Sequence, residues 1–185
     1  MELRLLALFL AACSGAVGPA TPEDTLTDTD LLADTVEAED TVPSVGVVLN
    51  EVLASNQGAA FDADGDADDV VELYNDSDSA VDLEGWALEV GGDRFELPEF
   101  TTIAAYGFVV VWCDGDDEGL HASFKLTADG DEVTLTDKDD EEHDKIGWGS
   151  EGDLDKPEDD TSWARTPDGT GDWQPAAPTV GGPNL

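Results

Sequence analysis

The stretch FDADGDADDVVELYN, Phe61 to Asn75, places aspartates at 62, 64, 66, 68 and 69 immediately before an apolar run. Hard divalent cations take six to eight oxygen ligands, and spaced aspartates in one loop supply them. Asp62, Asp64, Asp66, Asp68 and Asp69 are therefore candidate calcium ligands, and Ca2+ is the one cofactor the chain suggests. The spacing is not that of an EF-hand: counted from Asp62, glycine falls fourth rather than sixth, and the twelfth position is Leu73 rather than a glutamate. Two readings stay open, a looser calcium site and a polar turn around Asp64-Gly65 that joins two strands.

Glu51 and Glu72 each lie between apolar neighbours in strand-like runs. As a pair they would suit acid–base or metal chemistry. Alternate residues of a strand face solvent, however, and a carboxylate that turns inward usually accepts backbone hydrogen bonds, so the architectural reading is the stronger. The two histidines, His121 and His143, show no HxH or HExxH spacing, and no CxxC is present, which argues against a transition-metal site. His143, inside DDEEHDK, reads as solvated. No GxSxG elbow, Walker loop or GxGxxG followed by a helix occurs, so no catalytic residue is assigned and the chain is not expected to be an enzyme. Arg165, in ARTPDG, reads as a structural clamp on nearby carbonyls or a carboxylate beside a turn at Pro167, Asp168 and Gly169. Cys113 ends FVVVWC, with Asp114, Asp116 and Asp117 close by, and reads as an inert buried thiol.

The N-terminus carries a different chemistry. MELRLLALFLAAC has one basic residue, Arg4, an apolar run from Leu5 to Leu10, and small residues before Cys13, the layout of a secretory signal too short to span a bilayer. LAAC, Leu10 to Cys13, resembles the lipobox of bacterial lipoproteins. The resemblance implies removal of residues 1–12 and lipidation, palmitate included, of Cys13, which would tie the chain to a membrane, the outer membrane or cell surface of a bacterial envelope. Residues 14–44 carry eight acids, three prolines, no bases and no aromatics, a composition that cannot offset the entropy of ordering. Residues 13–44 are thus expected to be a lipidated cysteine and a disordered acidic tether, with a mean span of about 30 Å.

The whole chain has 185 residues, 40% of them hydrophobic, and a formal net charge of −38 from 45 acidic against 7 basic residues. Such charge repels phosphate backbones, so nucleic acid is not an expected partner.

The elements that would position these residues are strands. From Val45 onward, short β-rich runs alternate with turn signals, and Asp-Gly pairs stand at 64–65, 114–115, 129–130 and 168–169. Period-2 spacing predicts a hairpin in FKLTADGDEVTL, with Phe124 and Leu126 opposite Val133 and Leu135. Tyr106 to Trp112 is nearly all apolar and predicts a central strand buried on both faces. Trp86, Trp112, Phe108 and Phe124 are the expected aromatic core.

The blocks LNEVLASN (49–56), VELYN (71–75), VDLEGWAL (81–88), GLHASFKL (119–126), SWARTPDGTGDW (162–173) and PTVGGPN (178–184), in that order, resemble the lamin-tail domain in its secreted bacterial form. The resemblance implies an all-β, immunoglobulin-like β-sandwich over residues 45–185 that acts as an interaction or tethering module. The expected partner is an envelope or extracellular protein or glycan. Two other functions compete with it: a calcium-dependent adhesion module, kept alive by the aspartate loop, and an accessory subunit of a secreted hydrolase or nuclease.

Overall fold

Runs of β-branched and aromatic residues with apolar side chains at every second position bury one face of each strand, and two such faces closing on each other make a sandwich. The computed structural model describes residues 46–185. The readings on residues 1–12, on Cys13 and on the acidic tether lie outside the described residues.

Eleven strands follow in the described chain: β1 (Val47–Leu53), β2 (Asp69–Asn75), β3 (Val81–Asp82), β4 (Ala87–Val90), β5 (Asp93–Glu96), β6 (Thr102–Ile103), β7 (Phe108–Cys113), β8 (Gly130–Thr136), β9 (Glu142–Gly149), β10 (Ser162–Thr166) and β11 (Asp172–Ala176). A five-stranded sheet has the order β11-β10-β1-β2-β7, a four-stranded sheet the order β5-β4-β8-β9, and β3 pairs with β6 alone. All of these pairings are antiparallel. The fold is an immunoglobulin-like all-β sandwich.

Between the sheets lie Leu49, Val52, Leu73 and Val111 from the first, and Leu88, Val133, Leu135, Ile146 and Trp148 from the second. The strict alternation Leu88/Val90, Val133/Leu135 and Ile146/Trp148 is what a half-buried strand requires. On β1 the alternation breaks. Leu49 faces Leu73 and Glu51 faces Glu72, so Asn50 is an extra residue in the ladder, a β-bulge that sets Asn50 and Glu51 together on the outer face.

Four expectations are corrected. β7 is the last strand of its sheet rather than a central one, and it begins at Phe108, because Tyr106 is exposed with a positive φ of 52° and turns the chain. Alternation along β7 sends Val111 and Cys113 inward and Val110 and Trp112 outward, so Trp112 lies half-buried in a small outer cluster with Leu53, Ala60 and Val70 rather than between the sheets. Phe108 is half-buried too, tilted against Tyr74 at 5.0 Å between ring centroids. Trp86 and Phe124 do join the inter-sheet core, and Trp148 is its largest fully buried side chain. The FKLTADGDEVTL hairpin does not form: β8 pairs with β4 and β9, while Phe124 and Leu126 are buried without belonging to a strand.

Candidate functional site

Burying a carboxylate is costly unless donors of the chain surround it, and the outer face of β1 and β2 meets that condition twice. Glu51 and Glu72, adjacent in register, are both fully inaccessible to solvent. Glu51 Oε1 accepts from the Ser162 hydroxyl at 2.6 Å and from the Thr179 amide at 3.0 Å. The Thr179 hydroxyl lies 2.9 Å from Glu51 Oε2 and 2.7 Å from Asn184 Oδ1. Glu72 accepts from Asn50 Nδ2 at 3.0 Å and from the Gly181 amide at 2.6 Å. Burial pushes the Glu72 carboxyl up to about 7, against the lowering effect of these two hydrogen bonds and with added repulsion from Glu51 and Asp168.

The bulge residue joins this pair to the C-terminal segment. Asn50 donates to Asp168 Oδ1 at 3.0 Å as well as to Glu72, and its Oδ1 accepts from the Gly169 amide at 2.9 Å. Asn184 closes the network by donating to the backbone carbonyls of Asn50 and Arg165, while its own amide donates to Asp168. Among the described residues, no buried side-chain nitrogen or oxygen lacks a hydrogen-bond partner. The carboxylates are thus engaged by the chain's own donors, and their work is to fasten residues 178–184 across the sheet.

The turn that supplies Asp168 depends on glycine. Gly169 has φ +72°, and a Cβ there would stand 2.8 Å from the Tyr74 ring. Gly169→Ala is expected to cost about 1–3 kcal/mol from the left-handed backbone alone. Urea denaturation of the two proteins measures it, and equal stabilities would contradict the geometry.

Arg165 satisfies the other side of the bulge. Its Nε donates to the Leu49 carbonyl at 3.0 Å, its Nη1 to the Gly171 carbonyl at 3.1 Å, and its Nη2 to both Asp144 oxygens at 3.0 Å. Asp144 Oδ2 in turn accepts the Leu49 amide at 3.0 Å. The guanidinium also lies over the Trp173 ring, 4.5 Å from its centroid. Asp144 belongs to β9, so this ion pair joins the two sheets. Arg165 thus bridges two backbone carbonyls and the Asp144 carboxylate.

The aspartate loop is arranged as a turn. Asp62 Oδ1 accepts the amides of Asp64, Gly65 and Asp66 at 2.8–3.0 Å, and Asp69 Oδ1 accepts the Asn56 amide at 3.0 Å. Burial raises the carboxyl pKa of both Asp68 and Asp69. Among the described residues, no group of three or more His, Cys, Asp or Glu side chains is placed to hold a metal ion, the five aspartates of this loop included.

His121 Nδ1 hydrogen-bonds Asp114, which raises the imidazole pKa and ties the loop after β7 to that strand's end. For Asp114, burial pushes the carboxyl up, but the bonds from His121 and the Asp116 amide outweigh it and the net shift is downward. His143 is not solvated as expected: it is half-buried, its ring 4.5 Å from that of Trp86, with Nε2 3.0 Å from Asp137 Oδ2. Cys113 is buried, and burial pushes its thiol pKa well above the ordinary value.

Reasoning from sequence singled out Glu51, Glu72 and Arg165, and Asp168 only as part of a turn, but not Asn50, Asp144, Thr179, Gly181 or Asn184. All of these except Asp144 fall inside quoted blocks, yet their partners are often more than a hundred residues away in the chain, a separation that no local pattern encodes.

No curated protein matches the chain. The Lamin Tail Domain family model matches residues 41–150, well over half of the sequence, and stops short of β10, β11 and the C-terminal segment they precede. The chain belongs to the lamin tail domain family.

Proposed function

We propose that this protein is a non-catalytic interaction or tethering module, held at a bacterial cell envelope by lipid on Cys13. The observation that carries the module reading is membership of a family of immunoglobulin-like domains over residues 41–150. It is supported by the state of Glu51 and Glu72, whose oxygens are occupied by donors of the same chain rather than turned toward a ligand. The anchor rests on the lipobox-like LAAC and on the acidic stretch that follows it. Lipid there would attach the chain to the membrane, and residues 14–44 would separate the sandwich from it. The partner is an envelope or extracellular protein or glycan, since a net charge of −38 opposes contact with nucleic acid.

Metabolic labelling with a clickable fatty acid tests the anchor. Label is expected on the wild-type chain and absent from Cys13→Ser, and label retained by the variant overturns the assignment. Cross-linking on intact cells followed by recovery of the full chain tests the module, and recovery of the chain alone would count against it.

A further inference from the structure

Beside the clamped C-terminal segment, the outer face of β7 is left open. Phe61, Val110, Trp112, Pro178, Val180 and Pro183 line a groove of about 610 Å³, and Phe61 is 59% exposed. Gly181 sits directly above Val110, so the polar network around Glu51 and Glu72 holds one wall of the groove in place.

The strand at its floor is also open along one edge. Trp112 turns its N–H and C=O away from β2, to the carbonyl of Leu120 and the amide of Ala122. Asn75 donates to Gly107 one step outside the Tyr74–Phe108 pair, the pattern of a pair that exchanges no bonds of its own. Alternation therefore points the N–H and C=O of Phe108 and Val110 outward as well, and no strand among the described residues pairs with them, since β7 ends its sheet. An unpaired edge is a template for an added strand.

The charge around the groove selects what can be added. The loops at its end carry Asp62, Asp64, Asp66, Asp68, Asp114, Asp116, Asp117 and Glu118, eight carboxylates against Lys125 and His121. Asp68 is near enough to Asp114, and His121 to Asp62, for their charges to interact, so the two loops form one acidic rim. A second copy of the chain, itself at −38, is repelled from such a rim, whereas lysine or arginine is drawn to it.

We propose that the edge of β7 and this groove bind an extended basic segment of a partner polypeptide, which adds as a short strand, sets an apolar side chain against Trp112 and Phe61, and lays flanking lysines or arginines over the acidic rim. This rests on the interaction-module reading above and names the partner's chemistry. Only Phe108 and Val110 offer free backbone, because Leu120 and Ala122 already occupy the edge at Trp112, so recognition is confined to a few residues.

Fluorescence anisotropy of the full chain with a labelled, acetylated KVKWKVK peptide tests it. Saturable binding is expected, weakened at least about tenfold by Phe61→Ser in the exposed loop, by Val110→Lys, and by N-methylation of alternate peptide amides. Heptalysine should bind at least about tenfold more weakly than the peptide despite its greater charge. Equal binding of heptalysine, which signals charge condensation alone, overturns the assignment, as does wild-type affinity in Phe61→Ser and Val110→Lys together. Cross-linking on intact cells separates this failure from failure of the module reading. A partner recovered equally by wild type and Phe61→Ser keeps the module and removes the groove, while no partner with wild type removes the module itself.

Discussion

Replacing Arg165 by alanine is expected to lower the stability of the sandwich by about 3 kcal/mol, at the lower end of what breaking a buried ion pair costs because the pair keeps some contact with solvent. The loss has three sources. The Leu49 and Gly171 carbonyls each lose a charged donor, Asp144 is left as an uncompensated carboxylate between the sheets, and Trp173 loses the cation above its ring. Leu49 feels the change twice, since its amide is held by the same Asp144. For a domain of this size the effect corresponds to a melting temperature lower by about 10 °C. Lysine at 165 would keep the charge but not the fork that reaches two oxygens and two carbonyls at once, so Arg165→Lys should recover only part of the loss. Thermal and urea melts of the three proteins decide it, and a change below about 0.5 kcal/mol for Arg165→Ala, the scale of an ordinary surface substitution, would show that the clamp is not needed.

The second large effect is a pH dependence carried by Glu72. Its carboxyl is raised from 4.5 in the unfolded chain to about 7 in the fold, first by burial and then by Glu51 and Asp168, with Asn50 and Gly181 opposing. A carboxyl with a raised folded pKa binds its proton more tightly in the native state. Its contribution to stability is fully present below pH 4.5 and is lost as the pH rises through 7. The span between the two values corresponds to about 3 kcal/mol. Because the many other acids of this chain also titrate, the readable quantity is the difference between wild type and Glu72→Gln, which removes only this group's titration. That difference is expected to shift by about 3 kcal/mol against the wild type between pH 4 and pH 8, with most of the change between 4.5 and 7. Parallel stability curves for the two proteins would place Glu72 in a far wetter setting than the structure gives it.

Both effects arise at one irregularity. The bulge at Asn50 interrupts the ladder between β1 and β2, and the groups on either side of it are met by Arg165 and Asp144 on one face and by Asp168, Thr179, Gly181 and Asn184 on the other. The family match ends at residue 150, before most of these partners, so the closing clamp is contributed by the part of the chain beyond the matched span.

Sequence by itself determined the class of fold, because period-2 alternation and Asp-Gly turns are local properties that a strand shows wherever it is placed. It determined the family through its ordered blocks, and the burial of Cys113, whereas the Leu49 and Asp144 groups that Arg165 holds lie far from it in the chain. It also excluded the EF-hand, since ligand spacing within one loop is a local matter. Tertiary structure alone decided which strand is central and which lies at an edge. FVVVWC has the composition of a buried strand, yet the sheet order leaves β7 at the end and turns Trp112 outward. It decided that Phe124 packs without its hairpin, because β8 found better partners in β4 and β9. It set the conformation of the aspartate loop, where Asp62 turns to three amides of its own turn and Asp69 to Asn56. It also decided the fate of Glu51 and Glu72. Nothing within a strand distinguishes a carboxylate on a wet face from one sealed by a segment more than a hundred residues later, since that depends on where the end of the chain comes to rest.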